Sequence, residues 1–188
     1  MENIIRQRLQ QHSDTISKLS SELKVIKKIA ETIINCYKNG RKVIFFGNGG
    51  SCADSMHLAT ELVSRYYFDR KSLPAMALTD TVSITAIGND YSFEEVFKKQ
   101  VEGCVNKGDI VIGISTSGNS KNVIKAIEIA KELGGITLAF TGKSGGLLKN
   151  KAVICLNIPS DDTPRIQEGS ILAGHIICEL IEKELFGK

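Results

Sequence analysis

The first part of the chain carries apolar side chains at steps of three and four residues, the spacing of an amphipathic helix. Neither Gly nor Pro interrupts the segment 3–37, and Asn39-Gly40 predicts its end. The polar segment 12–14 predicts a break within it. A continuous helix of this length would extend about 50 Å at about 1.5 Å per residue, which exceeds the diameter of a small domain. We therefore expect part of the apolar stripe of segment 1–38 to pack on another subunit.

The rest of the chain alternates between short continuous apolar runs and segments of helical periodicity. The clearest run is 109–115, apolar at successive positions as expected for a strand buried on both faces. Strands separated by helices predict a parallel sheet covered on both faces, a three-layer α/β sandwich. With no linker or repeat, 1–188 is predicted to be a single domain. Strands are predicted at 42–47, 75–78, 109–115, 135–141 and 152–158, and helices at 51–66, 91–105, 121–133 and 163–186.

Composition narrows the class of protein. The chain is 42% apolar and 24% charged, as soluble globular proteins are. Its net charge of +3 is small and its basic residues are dispersed, unlike the basic face of a nucleic-acid-binding protein. No apolar run approaches the ~20 residues that span a bilayer, and the start resembles no signal peptide. Five cysteines without a CxxC pair favour free thiols. We predict a cytoplasmic protein without a nucleic-acid or membrane partner.

Small polar residues follow three of the predicted strands. In an open parallel sheet, ligands bind beyond the carboxyl ends of the strands. The segment 47–51 reads Gly-Asn-Gly-Gly-Ser, which suits either a close approach to a ligand or a tight turn with positive φ. The segment 88–90 reads Gly-Asn-Asp, and Asp90 either binds sugar hydroxyls or caps the helix expected near Ser92.

The segment 115–120 is the strongest candidate for a ligand site. It reads Ser-Thr-Ser-Gly-Asn-Ser and lies between a predicted strand and a predicted helix. Hydroxyls and free backbone N–H groups at a helix N-terminus bind phosphate, and the helix dipole favours the anion. The alternative is that Ser120 only caps the helix. Since the segment lacks a lysine, a phosphate monoester suits it better than a nucleoside triphosphate.

Two predicted helices carry ionisable side chains at helical spacing. His57 and Glu61 are four residues apart and share a helix face, with Arg65 one turn further on. A pair at this spacing binds a metal, transfers protons, or forms a surface ion pair. On the last predicted helix, Gln167 and His175 share a face, and both are able to point into one cleft.

Together these motifs resemble those of the phosphoheptose isomerases. The resemblance covers essentially the whole chain, whereas the serine-rich segment alone marks only the wider sugar isomerase (SIS) superfamily. The motifs that carry it are FFGNGGSCADSMHLATEL at 45–62, AIGNDY at 86–91, GISTSGNS at 113–120, and PRIQE at 164–168 followed by His175.

The resemblance implies a flavodoxin-like SIS fold, a homotetramer and active sites between subunits. It implies an aldose–ketose isomerase that converts sedoheptulose 7-phosphate to D-glycero-D-manno-heptose 7-phosphate through an enediol. That reaction would begin the nucleotide-activated heptose pathway for lipopolysaccharide or surface polysaccharide. Two rival functions remain: a non-enzymatic replication-initiator-binding protein like DiaA, and an isomerase of another sugar phosphate.

The resemblance also implies a role for each site residue. Glu61 matches the catalytic base and His175 its acid–base partner, while Arg65 steadies Glu61 or the substrate. One zinc per site would be held by His57, Glu61, Gln167 and His175, and would either lower the basicity of Glu61 or polarise the carbonyl. The substrate-binding residues implied are Ser115, Thr116, Ser117 and Ser120 at the phosphate, and Asn48, Gly49, Gly50, Ser51, Glu61, Asn89, Asp90 and Gln167 at the sugar.

Overall fold

The computed structural model describes residues 1–187 and contains a parallel sheet of five strands. The spatial order is β2-β1-β3-β4-β5, which is the flavodoxin-like order. Helices cover both faces, so the predicted three-layer α/β sandwich is confirmed. In chain order the strands are β1 (Val43–Gly47), β2 (Ala75–Ala77), β3 (Ile110–Ser115), β4 (Ile136–Thr141) and β5 (Ile154–Asn157).

The helices divide between the two faces of the sheet. One apolar core lies under α2, α3 and α7, and a second lies under α5 and α6. No helix within residues 1–187 is long and apolar enough to cross a bilayer. The helices are α1 (Glu2–Lys18), α2 (Leu23–Lys38), α3 (Gly50–Val63), α4 (Thr81–Asp90), α5 (Val96–Cys104), α6 (Lys121–Glu132) and α7 (Thr163–Phe186).

The two central strands end at the same level. Val43 of β1 pairs with Ile110 of β3, and Gly47 pairs with Ile114. Every residue of both strands is buried, as expected for a sheet covered on both sides. The strand order reverses between β1 and β3, and a crevice forms at that point. The segments that follow β1 and β3 therefore meet at one edge of the sheet.

The predicted break at 12–14 is wrong. The first helix continues through His12 and ends at a short 3-10 segment, Leu19–Glu22, where the buried Leu19 anchors the turn. The polar side chains at 12–14 all make hydrogen bonds that are compatible with a continuous helix. For example, His12 Nδ1 lies 2.7 Å from a Glu168 oxygen on α7. The apolar side chains of Ile4 and Leu9 stay exposed, at 61% and 63%.

The segment 88–90 was predicted to follow a strand, and this prediction is wrong. The segment forms the last turn of α4. Asp80 caps this helix by accepting a hydrogen bond of 2.7 Å from the Ser83 N–H. None of the α4 residues is fully buried, so the segment carries only a weak apolar pattern. Asp90 thus ends one helix rather than starting the next, and the following helical turn begins at Phe93. The predicted helix 51–66 ends earlier, at Val63.

Candidate functional site

The crevice is bounded by the turn after β1 and the segment after β3. Gly49 has φ +54°, a conformation that side chains with a Cβ rarely adopt, so the turn requires glycine there. α3 starts at the next residue, and α6 starts at Lys121. The first backbone N–H groups of both helices lack intrahelical partners. The crevice thus receives two helix N-termini, which favours an anion.

An amide pair joins the two sides of the crevice. Asn48 Nδ2 donates to Asn122 Oδ1, and Asn122 Nδ2 donates to Asn48 Oδ1, both at 2.9 Å. Asn122 is buried on α6. Its Oδ1 also accepts from the Val123 N–H at 2.9 Å. Asn122 was not predicted to belong to the site, although an asparagine among the apolar positions of a helix is a signal that the sequence offers.

The hydroxyl of Ser120 in the serine-rich segment does not cap the following helix. Ser120 is the N-cap residue of α6, yet its side chain makes no capping hydrogen bond. Its hydroxyl lies 2.9 Å from the Ser115 hydroxyl instead. Ser117 is exposed at the rim, and Thr116 is half-buried. Gly118 has φ +66° and packs against the Gly145 carbonyl, where a Cβ would collide. The structure therefore disfavours the simple capping alternative.

The segment after β4 supports the serine-rich segment from outside. The Gly142 N–H donates to the Thr116 carbonyl at 2.9 Å, and the Leu147 N–H donates to Asn119 Oδ1 at 3.0 Å. These bonds fix the backbone on the side away from α3. The N-terminus of α6 lies at the other side of the segment, where the Ser115 and Ser120 hydroxyls contact each other.

The residues predicted to line the sugar are only partly gathered there. Gly50 is exposed beside the crevice, and a Cβ on it would collide with the Gln167 amide, so Gln167 reaches this end of α3. Ser51 is buried, and its N–H donates to the Asn48 carbonyl at 3.0 Å. Asn89 and Asp90 are exposed at the end of α4, where the Asn89 amide donates to Asp90 at 2.9 Å.

A second cluster joins α3 and α7. His57 Nε2 lies 2.9 Å from His175 Nε2 and 3.2 Å from Glu61 Oε1. One ligand atom from each of the three residues lies within 4.8 Å of the others. A Cβ on Gly174 would lie 2.5 Å from Leu58 Cδ2, so the helices approach closely because residue 174 is glycine. We call His57, Glu61 and His175 the trio.

The trio has the donor chemistry of a zinc site. Two imidazole nitrogens and one carboxylate oxygen, with a further position left open, are the donor set of catalytic zinc. Tetrahedral zinc separates its ligand atoms by about 3.3 Å, close to the 2.9 Å and 3.2 Å found here. Gln167, the fourth predicted ligand, lies instead at Gly50, about 10 Å before His57 along α3. Its role as a ligand remains a prediction.

The crevice lies at the N-terminus of α3, and the trio lies further along the same helix, from its middle at His57 toward its end. Glu61 follows Gly50 by eleven residues, which is about 16 Å along a helix axis. The structure therefore brings together the phosphate-binding candidates in one place and the proton-transfer candidates in another. The nearer member of the trio, His57, follows Gly50 by seven residues, which is about 10 Å along the axis.

The segment 64–70, which we call the strap, borders the trio. The Tyr66 ring centroid lies 5.9 Å from that of His175, and burial raises the pKa of Tyr66 to about 12. Arg65 is exposed. Arg70, the last residue of the strap, forms a buried ion pair with Glu182 of α7, and neither residue was predicted to belong to the site.

Comparisons with known proteins agree with this fold. A family model described as an SIS domain matches residues 9–142. A phosphoheptose isomerase of Clostridium acetobutylicum is 48% identical over 192 residues, covering 100% of this chain and 98% of the relative. The structure of a phosphoheptose isomerase from Francisella tularensis matches with a TM-score of 0.93 at 35% identity, over 96% of this chain and 97% of that one. For GmhA from Neisseria gonorrhoeae, the TM-score is 0.90 at 38% identity, over 97% and 98%.

Proposed function

The chain belongs to the phosphoheptose isomerase family and is an isomerase, and on this premise we propose that it interconverts sedoheptulose 7-phosphate and D-glycero-D-manno-heptose 7-phosphate. The observation that carries the proposal is the trio, because helices more than 100 residues apart in sequence bring a carboxylate and two imidazoles within 4.8 Å. We place the reaction in the cytoplasm, at the start of nucleotide-activated heptose synthesis for lipopolysaccharide or surface polysaccharide.

The crevice binds the phosphate in this proposal. The hydroxyls of the serine-rich segment donate to phosphate oxygens, and the N-terminus of α6 supplies backbone N–H groups and a favourable dipole. A phosphate held far from the reacting carbons orients them without taking part in the chemistry. The phosphate ligands are Ser115, Thr116, Ser117 and Ser120.

The surroundings of the crevice hold the sugar chain. Glycine at 49 and 50 lets the backbone approach the hydroxyls closely. Gln167, which lies over Gly50, is placed to donate and accept hydrogen bonds beside them. Asn48, Ser51, Asn89 and Asp90 complete this set, and Arg65 contacts the substrate or steadies Glu61.

Glu61 is the catalytic base. Its carboxylate takes a proton from the carbon next to the carbonyl, the electron pair of that C–H bond forms an enediolate, and the proton returns to the neighbouring carbon. His175 moves the proton between the two oxygens, so that ketose and aldose interconvert with no net gain or loss of atoms. The 3.2 Å separation of Glu61 from His57 supports a role for His57 in holding the carboxylate in place.

The trio would also hold a zinc ion. Zinc bound there would act as a Lewis acid that polarises the substrate carbonyl and stabilises negative charge on its oxygen. The donor set and its spacing support this assignment, with Gln167 as the fourth ligand in the proposal. Glu61 would then act as a base from a position beside the metal.

We further propose a homotetramer with active sites between subunits. In this assembly, the phosphate at one chain's crevice places the reacting carbons near the trio of another chain. The exposed apolar side chains of α1 supply a surface for such assembly.

The decisive experiment is turnover in heavy water. Purified protein is incubated with sedoheptulose 7-phosphate, and proton NMR follows the signals at C1 and C2. An aldoheptose phosphate with deuterium at C2 supports both the substrate and the proton abstraction. Turnover of a hexose or pentose phosphate instead would reassign the substrate. No conversion of any sugar phosphate, with or without zinc, combined with binding to a replication initiator, would favour the DiaA-like alternative.

A further inference from the structure

The strap is held by a single buried carboxylate. Glu182 lies on α7 with a side chain 1% exposed, and it accepts hydrogen bonds from three successive backbone N–H groups. The donors are Tyr66 at 2.9 Å, Tyr67 at 2.6 Å and Phe68 at 3.0 Å. Although burial opposes ionisation, these N–H groups and Arg70 hold the pKa of Glu182 below its usual range. The carboxylate thus fixes the backbone of half the strap.

Arg70 connects this carboxylate to the end of α3. Its Nε donates to Glu182 at 2.8 Å, and its side chain is 2% exposed. Its Nη1 donates to the Leu62 carbonyl at 2.9 Å, and its Nη2 donates to the carbonyl of Glu61 at 3.0 Å. The last carbonyls of a helix lack intrahelical partners, and a cation there also offsets the helix dipole. Arg70 therefore caps the helix at the residue that carries the proposed base.

The two contacts act on both halves of the trio. Through Arg70, α7 fixes the backbone position of Glu61 on α3. Through the strap, Glu182 fixes Tyr66, whose ring packs 5.9 Å from the His175 ring. A buried ion pair does not by itself stabilise a protein more than well-packed apolar residues would. The ion pair therefore matters less for its charge than for the groups that it joins, the carbonyl of Glu61 and the backbone of Tyr66.

We propose that Arg70 and Glu182 are positioning residues, which set the Glu61 carboxylate and the Tyr66 ring relative to His175. The proposal rests on the proposed function of the trio in proton transfer. A displacement of about 1 Å in a reacting group costs up to about 100-fold in rate. Loss of the contacts among Arg70, Glu182 and the strap, which we call the clasp, should therefore lower kcat. Phosphate binding at the crevice should be little affected, so KM should change little.

The first test compares two buried carboxylates. Glu182→Gln places an amide N–H group against backbone N–H donors, so the strap loses part of its anchor. Asp109→Asn is the matched control, because Asp109 is 2% exposed and accepts from Lys42 Nζ at 2.6 Å and from two backbone N–H groups, of Lys42 and Asn106. None of these partners lies on α3 or α7. We expect kcat to fall at least about tenfold in Glu182→Gln, with KM within about threefold, and both constants to stay within about twofold in Asp109→Asn.

A second variant covers the case in which Glu182→Gln does not fold. Arg70→Lys keeps the positive charge against Glu182 but loses the planar fork that reaches both helix carbonyls. We expect this variant to fold and to lose kcat in the same way. Circular dichroism and thermal melting establish folding for each variant, and faster amide hydrogen exchange at 66–68 in Glu182→Gln establishes release of the strap.

Metal binding can be measured without turnover, so it tests the positioning role even if the proposed isomerase function fails. Cobalt(II) titration of the metal-free protein, followed by its absorption spectrum, reports on the trio directly. If the wild type isomerises no sugar phosphate, the proposed function fails, and weaker cobalt binding in Glu182→Gln than in Asp109→Asn still supports positioning. Equal kcat in Glu182→Gln and wild type, or equal cobalt binding in both variants when there is no turnover, overturns it. Absence of any cobalt binding by an inactive wild type overturns it as well.

Discussion

Asn48 and Asn122 donate side-chain hydrogen bonds to each other at 2.9 Å and tie the turn after β1 to the start of α6. The two residues are 74 positions apart in sequence. Because one belongs to each wall of the crevice, the pair sets the width of the proposed phosphate and sugar site.

We expect Asn122→Ala to raise KM about tenfold or more, since the loss of two neutral hydrogen bonds costs about 1–3 kcal/mol. Because the trio lies further along α3 and contacts neither asparagine, kcat should fall less than KM rises. Steady-state kinetics with the preferred sugar phosphate measures both. Asn106→Ala, at an exposed position away from the crevice, is the control and should match the wild type. A loss confined to kcat would contradict the assignment of the pair to substrate binding.

We expect Glu61→Gln to lose at least about 100-fold in kcat and to keep its fold, because an amide cannot accept the proton and a general base contributes about 100- to 10,000-fold. The carbonyl of residue 61 still binds Arg70, so the melting temperature should change little. Heavy-water NMR should show no deuterium entering at C2. Substantial turnover by this variant would remove Glu61 from the role of base.

The three histidines of the chain provide a test of the metal site with an internal control. We expect His175→Ala to weaken cobalt or zinc binding by more than about 100-fold. Loss of a residue that only supports a metal ligand weakens binding by up to about 100-fold, so loss of a ligand itself should cost more. His12→Ala should bind metal like the wild type, since His12 contacts Glu168 rather than the trio. Calorimetric titration at constant pH measures both. Equal affinities would show that metal binds elsewhere.

Asp54 predicts a pH-dependent change in stability. One of its carboxylate oxygens is buried without a hydrogen-bond partner. Burial raises the pKa of Asp54, and nearby His57 only partly opposes this. The folded protein thus binds the proton more tightly than the unfolded chain, so the free energy of unfolding falls as pH rises between the unfolded and the folded pKa.

In the metal-free protein at pH 7, we expect Asp54→Asn to raise the free energy of unfolding by about 1 kcal/mol, the lower end of the cost of an unpaired buried polar group. The gain should vanish at pH values below the ordinary pKa of an aspartate. Urea denaturation at several pH values measures it, with the exposed Asp161→Asn as control. A pH-independent difference would point to packing instead of charge.

The strongly patterned parts of the fold were predictable from the sequence. Continuous apolar runs located the strands, because both faces of the sheet are covered and nearly every strand position must be apolar. α4 was not predicted, since a helix packed only through half-buried Ile84 and Ile87 has no strong apolar stripe. The bend at Leu19 was misplaced because local polarity at 12–14 is satisfied within the helix and by α7.

The candidate site was predictable where its residues share one motif. His57 and Glu61, or the hydroxyls from 115 to 120, lie a few positions apart, so spacing alone groups them. Asn122 and Glu182 were missed because their partners lie 74 and more than 110 residues away. The separation of the crevice from the trio was also not predicted, because it follows from the length and direction of α3 rather than from residue type.

Because the clasp joins the strap to the last helix, it can form only after the rest of the chain has been synthesised. Synthesis proceeds from the N-terminus, so the sheet, α3 and the serine-rich segment leave the ribosome before α7. Until α7 arrives, the N–H groups of 66–68 face water, and His57 and Glu61 have no His175 beside them. A chain that ends before residue 163 lacks His175, and it also lacks the apolar side chains of α7, such as Ile177 and Ile181, that complete one of the two cores. Such a chain has the residues of the serine-rich segment but cannot assemble the trio, so the proposed proton transfer requires the last helix to be in place.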